Sequence, residues 1–177
     1  MKWLLLPAVL GAVGLLFWRT QASAAEPPKV GEPAPAFSLP DQDGKLRSLG
    51  EFRSKWLALY FYPKDDTPGC TEQACKFRDD LHQLRAMGAE VVGVSVDDSA
   101  SHAKFAEKYS LPFPLLADTK GEVADRYGSV LDLGIKRFAR RNTFLIDPEG
   151  RIAKMYLKAD SSRNSQEIIS DLKALKP

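Results

Sequence analysis

The sequence is poor in the residues that build metal centres and disulfide frameworks. Its 177 residues include two cysteines and two histidines, and neither His82 nor His102 has a partner at metal-ligand spacing. No metal or cofactor is expected. The chain also lacks an excess of one charge, with 25 Lys and Arg against 23 Asp and Glu. The densest basic cluster (Lys136, Arg137, Arg140 and Arg141) has the character of a solvated loop. No basic stripe points to nucleic acid. Internal repeats, low-complexity segments and composition breaks are missing too, which leaves one domain of ordinary size. With 44% apolar and 27% charged residues, the composition is that of a globular protein able to bury a core.

One long apolar run is present, and it lies at the amino terminus. Leu4 to Trp18 carries no charge and is followed by Ala22-Ser23-Ala24, the A-x-A pattern of a signal-peptidase site. At about 15 residues the run suits a secretory signal and is short for a membrane span of roughly 20. Residues 1–24 are therefore expected to be an export signal, with an uncleaved anchor as the alternative. The protein is then periplasmic, or held at the membrane facing the periplasm. This segment holds two cations (Lys2 and Arg19) and no acid, so the remainder carries 23 basic and 23 acidic residues and no net charge.

Residues 25–36 contain repeated prolines and are expected to form an extended linker leading into a domain over 29–177. Asp43-Gly44 marks a turn between two pieces able to pair as a hairpin. Trp56 to Tyr62 is a near-continuous apolar run ended by Pro63, as in a strand buried on both faces. Ala74, Phe77, Leu81, Leu84 and Met87 recur at helical spacing, and Gly88 caps that helix. A strand over Glu90 to Val96 comes next, then a helix around Phe105. A short strand at Leu115 to Ala117 and a short helix at Glu122 to Tyr127 follow. Asn142 to Ile146 and Arg151 to Tyr156 are strands joined by an Asp-Pro-Glu-Gly turn, and a final amphipathic helix carries Ile168, Ile169 and Leu172. This order predicts an α/β domain with its sheet covered on both faces.

The two cysteines, Cys70 and Cys75, follow the first long strand. In an exported protein such a pair usually forms a structural disulfide. On one helix, however, residues five apart have Cα atoms ~8.6 Å apart, against roughly 4.4–6.8 Å in a disulfide. A permanent crosslink is therefore disfavoured, whereas a pair that switches is not. The loop at the strand's carboxyl end leads into a helix start, where ligands collect in α/β sheets. Free N–H groups and the helix dipole there favour an anion, so Cys70 in the first turn is a candidate nucleophilic thiolate.

The stretch Pro63-x-x-x-Thr67-Pro68-Gly69-Cys70 resembles the peroxidatic motif of the peroxiredoxins. Cys75, five residues on, resembles the resolving cysteine of their bacterioferritin-comigratory, or Q-type, subfamily. Arg141-Asn142-Thr143-Phe144-Leu145-Ile146-Asp147 is similar to a downstream family strand whose arginine reaches the reactive cysteine. The resemblance covers roughly residues 29–175. It implies a thioredoxin-like fold with a central mixed sheet and helices on both faces. It further implies a thiol peroxidase acting on hydrogen peroxide and organic hydroperoxides. Cys70 would be the peroxidatic nucleophile and Cys75 the resolving partner. Thr67 and the Cys70 N–H would supply hydrogen bonds, Arg141 positive charge, and Pro63 shelter from water. Thioredoxin or a periplasmic dithiol would reduce the resulting disulfide, and relatives of this type are often monomers.

Plainer readings stand beside these. Thr67 also suits a helix cap, Pro63 a strand terminator, and Arg140 competes with Arg141. His82 and His102 are expected as ordinary surface or helix residues, and Glu72 and Gln73 as solvated helix positions. Tyr60-Phe61-Tyr62 is expected as sheet core, with Tyr62 near the pocket. Two rival functions share the fold, and a redox-sensing or chaperone module without its own turnover is a third. An exported thioredoxin-like disulfide oxidoreductase would need C-x-x-C where this chain has C-x-x-x-x-C. A copper-binding relative would need a tighter cysteine pair and a downstream histidine ligand.

Overall fold

A computed structural model describes residues 25–175; the expected export segment, 1–24, lies outside the described residues. The centre of the fold is a five-stranded sheet. It contains β3 (Trp56–Phe61), β4 (Ala89–Ser95), β5 (Leu115–Ala117), β8 (Thr143–Ile146) and β9 (Ile152–Tyr156) in the order β5-β4-β3-β8-β9. The first three are mutually parallel, β8 is antiparallel to β3 and β9 antiparallel to β8, so the sheet is mixed. A hairpin of β1 (Ser38–Pro40) and β2 (Leu46–Ser48) precedes it, turning at Asp43-Gly44.

Alternation along β3 builds the two layers. Ala58 and Tyr60, with Tyr62 just beyond, enter one apolar cluster. That cluster also takes in Phe77 and Leu84 of α1 (Pro68–Ala86), Phe105 of α2 (Ser99–Tyr109) and Ile168 and Leu172 of α4 (Asn164–Leu175). Leu57, Leu59 and Phe61 enter the opposite cluster with Val123 and Ala124 of α3 (Glu122–Arg126). A strand buried on both faces reads as a continuous apolar run, as this one does. The domain is thus the α/β sandwich expected from element order.

Gly93 makes the close packing possible. Its partner across the ladder is Tyr60, and a Cβ there would lie 2.8 Å from the Tyr60 ring and from Leu115. With no Cβ, Tyr60 lies flat across β4, stacked between Tyr62 and Phe77 at 5.4 and 4.8 Å. Gly88, at φ 71°, ends α1 in the left-handed region that glycine tolerates.

Two features depart from the sequence expectation. Residues 25–36 are not extended throughout, since Val30 and Gly31 form a turn in which Glu32 N–H donates to Lys29 O at 3.0 Å, and the segment is fastened to the domain. Gly31 N–H donates to Ile152 O at 2.7 Å, Ile152 N–H to Glu32 O and Ala34 N–H to Gly150 O at 2.9 Å each, adding an isolated bridge beside β9. Proline removes its own donor and leaves its neighbours' donors available. The second departure is an unforeseen hairpin of β6 (Val130–Asp132) and β7 (Arg137–Ala139). It draws Arg137 and Arg140 of the basic cluster into structure rather than a solvated loop. Arg140 Nε donates to Val130 O at 3.0 Å and Arg137 Nη1 to Lys120 O at 2.9 Å.

Candidate active site

The site forms where β3 leaves the sheet and α1 begins. Pro63 follows the strand and is half-buried. Thr67 is the N-cap of α1 and Pro68 its first residue, a position where proline's missing N–H costs nothing. The Thr67 hydroxyl donates to Lys64 O at 3.0 Å instead of capping the helix, which leaves its oxygen free to accept. Thr71 N–H donates to Thr67 O at 2.8 Å. That bond opens the helical ladder, so the N–H groups of Gly69 and Cys70 belong to the unpaired first turn.

Cys70 is 1% exposed, and its sulfur faces the Arg141 guanidinium. Arg141 Nη2 lies 3.4 Å from Cys70 Sγ, while Nη1 donates to Gly69 O at 3.1 Å and to Gln73 Oε1 at 2.7 Å. The backbone of Arg141 is held just before β8, its carbonyl accepting from Ala159 N–H at 2.8 Å. Gly69 gives the guanidinium room, since a Cβ there would lie 3.1 Å from Nη2. A fixed cation and free N–H groups around one sulfur are the surroundings that make a thiol nucleophilic. Arg140 points elsewhere, so the choice between the two arginines falls on Arg141.

Cys75 is half-buried, and both thiols are free. Helix α1 runs unbroken through both residues, so the ~8.6 Å separation of their Cα atoms holds.

Two expectations about neighbouring residues need correction. Gln73 is not solvated: it is fully buried, accepting from Arg141 and donating to Asn164 Oδ1 at 3.0 Å. Its position announced this, because 73 lies on the same helical face as 70, 74, 77 and 81. Glu72 is exposed as expected, although its carboxylate accepts from the Ser161 hydroxyl. His102 is helical but fully buried, and it too shares a face with Phe105 and Ala106. Its Nδ1 lies 2.8 Å from Asp65 Oδ2, and a carboxylate accepts, so Nδ1 carries a proton.

Asp65 is the anchor of the loop. It also accepts from Tyr62 Oη and Ser101 Oγ at 2.7 Å each, and its N–H donates to Asp97 Oδ2 at 2.8 Å. Burial pushes the Tyr62 phenol well above its ordinary value. Burial does the same at Tyr60, reinforced by negative charge on Asp65 and Cys70. Both phenols therefore stay protonated, and Tyr62 acts as a donor to the loop rather than as a pocket wall alone.

The sequence pattern of the AhpC/TSA family matches residues 30–155. A Coxiella burnetii protein carrying the name peroxiredoxin bcp is 43% identical over 150 residues, 81% of this chain and 98% of that protein. The chloroplastic peroxiredoxin Q of Populus jackii is 46% identical over 126 residues, which are 71% of this chain and 59% of that longer protein. The crystal structure of peroxidoxin BcpB from Mycobacterium tuberculosis superposes with a TM-score of 0.80 at 34% identity, covering 85% of this chain and 99% of that one. The chain belongs to the AhpC/TSA family, in its peroxiredoxin Q/BCP branch. Peroxiredoxins are thiol-dependent peroxidases, and the fold around Cys70 is thioredoxin-like, as the sequence resemblance implied. The buried thiol, its arginine and the second cysteine thus sit within a peroxiredoxin and not on an unrelated α/β scaffold.

Proposed function

We propose that Cys70 is the peroxidatic nucleophile of this enzyme and Cys75 its resolving partner, acting on hydrogen peroxide and organic hydroperoxides. The observation that carries the reading is the 3.4 Å contact of Arg141 Nη2 with the buried sulfur in the first turn of α1. The Cys70 thiolate attacks one peroxide oxygen, and the O–O bond breaks. The sulfur becomes a sulfenic acid, and the departing oxygen takes a proton to leave as water or alcohol. Arg141 and the Cys70 N–H stabilise charge on that oxygen. The Thr67 hydroxyl, already donating to Lys64 O, accepts from the peroxide O–H. Pro63 shapes the pocket and shelters the sulfur. The Cys75 thiol then attacks the sulfenic sulfur, forming the disulfide and releasing water. This second step requires the first turns of α1 to unwind. A dithiol protein, thioredoxin or a periplasmic counterpart, restores both thiols by exchange.

Residues 1–24 are proposed to direct export, as a cleaved signal or as a membrane anchor, with the catalytic domain over 29–177 in the periplasm. A monomer suffices, because both cysteines lie on one helix. Peroxide consumption with a dithiol reductant tests the core of the reading. Cys70→Ser should abolish it and Cys75→Ser should allow one turnover; full activity in Cys70→Ser would overturn the assignment. Intact mass of the exported form should show loss of residues 1–24, and retention of Met1 would indicate the anchor.

A further inference from the structure

Asn164 opens α4, yet it is fully buried, and the two ends of its amide fare differently. Oδ1 accepts from Gln73 Nε2 at 3.0 Å and from Thr143 Oγ1 at 2.7 Å. Nδ2 is buried without a hydrogen-bond partner. A buried donor left unpaired is destabilising, so this amide is present for its oxygen.

That oxygen decides which way the neighbouring amide points. The two ends of Gln73 are nearly equal in size and differ only in donor and acceptor character. Asn164 Oδ1 selects the Nε2 end, which turns Oε1 toward Arg141 Nη1 at 2.7 Å. A reversed Gln73 would set an NH₂ group against a guanidinium, donor against donor. A directed chain therefore runs from Thr143 and Asn164 through Gln73 to Arg141, whose Nη2 meets Cys70 Sγ.

We infer that Asn164 is a positioning residue for the peroxidase reaction. It orients Gln73 so that Arg141 is held at Cys70, and the same contact ties the first turns of α1 to α4. The inference rests on the proposed roles of Cys70, Cys75 and Arg141. Gln73 lies between the two cysteines, so unwinding that stretch withdraws Gln73 from Arg141 and from Asn164 together. The consequence is a pair of opposed effects. Losing the Asn164 oxygen loosens the guanidinium and slows peroxide attack, while it frees α1 to open and speeds disulfide formation. A residue that merely stabilised the fold would not push the two steps in opposite directions.

Two rates test this. Peroxide attack is measured as single-turnover consumption in a Cys75→Ser background. Disulfide formation is followed in the two-cysteine protein by rapid acid quench and mass labelling of remaining thiols. Asn164→Leu should slow attack about three- to tenfold, the worth of one hydrogen bond, and speed disulfide formation by a similar factor. Asn164→Asp keeps an acceptor oxygen at the Oδ1 position and puts a second oxygen in place of the unpartnered Nδ2, so Gln73 keeps its direction and both rates should stay within about twofold of the parent. Gln73→Met should behave as Asn164→Leu does.

Equal behaviour of the Leu and Asp variants, or movement of both steps in one direction in Asn164→Leu, would overturn the inference. If Asn164→Leu does not fold, Gln73→Met and Asn164→Asp decide: the first must show the opposed effects and the second must not. Arg141→Ala separates the two levels of argument. Wild-type attack in Arg141→Ala overturns the reading of the site itself. Slow attack there, with unchanged attack in Asn164→Leu and Gln73→Met, leaves that reading standing and removes the positioning role.

Discussion

The two halves of the reactive segment are held in different ways. The loop 63–67 is bolted to α2 through Asp65, whose carboxylate takes Tyr62, Ser101 and His102 at 2.7–2.8 Å in a nearly dry setting. The start of α1 has no such bolt. Its side-chain hydrogen bonds outside the helix are few, from Gln73 to Arg141 and Asn164 within the site and from the exposed Glu72 to Ser161. The difference matches the demands of the proposed two-step cycle. Peroxide attack needs a fixed loop, whereas disulfide formation needs a helix start that can come apart while the loop remains. A protein that anchored both halves equally would hold Cys70 and Cys75 apart.

The largest effect expected from this contrast is on chemistry, not on stability. Arg141→Ala should lower kcat/KM for peroxide about 10²- to 10³-fold, the range for loss of one charge-stabilising donor. Unfolding in urea should shift little, because that side chain is only half-buried. Asp65→Ala should show the reverse balance. It strands the buried donors of Tyr62 and His102 and the half-buried Ser101 hydroxyl, and should cost about 2–3 kcal/mol of stability in the same urea assay. The rate of Cys70–Cys75 disulfide formation should change far less. If Asp65→Ala accelerated disulfide formation as strongly as it destabilised the fold, loop and helix would be one unit and the contrast would fail.

Gly69→Ala is a finer probe of the helix side. The new Cβ meets the guanidinium at 3.1 Å, and a side-chain end can give by a few tenths of an ångström. A severalfold loss in peroxide rate with near-parental stability is expected from stopped-flow kinetics and thermal melts. Lys108→Ala should have the smallest effect. Hydrogen bonds from Lys108 and Tyr109 hold the exposed Asp66 carboxyl below its ordinary value. A depressed carboxylate stabilises the fold above its unfolded-state value and loses that contribution as pH falls through its folded one. The small stability gap between parent and Lys108→Ala should therefore be present at neutral pH, shrink with added salt, and close on acidification. The peroxidase rate should not change.

Much of the fold was legible because apolar period and length agree where burial is complete. Trp56 to Tyr62 could only be an interior strand, and 74, 77, 81 and 84 mark one face of a helix. The β6–β7 pair was not legible: three-residue strands are too short to show a period, and two residues of β6 are exposed. Cys70, Cys75, Thr67, Pro63 and Arg141 were named from motif spacing, and the fold brings Arg141 from the far end of the chain to the first turn of α1. Gln73 and His102 were misjudged for one shared reason. Polarity was weighed above position, although each stands on the apolar face of its helix, where a polar group is retained only when it has a partner.

By itself the sequence determined the layer order of the domain, the helix start that carries Cys70, the thiol proposed to react, and the five-residue spacing that keeps Cys75 out of reach on an intact helix. Those are local properties, set by periodicity, turn chemistry and helix geometry. Only the tertiary structure decided that Asp65 fastens the loop to α2, that Gln73 is turned by Asn164, and that the Arg141 guanidinium is held between Gln73 and the sulfur. These rest on contacts between residues far apart in the chain, where direction of hydrogen bonding and exclusion of water, not residue type, set the outcome.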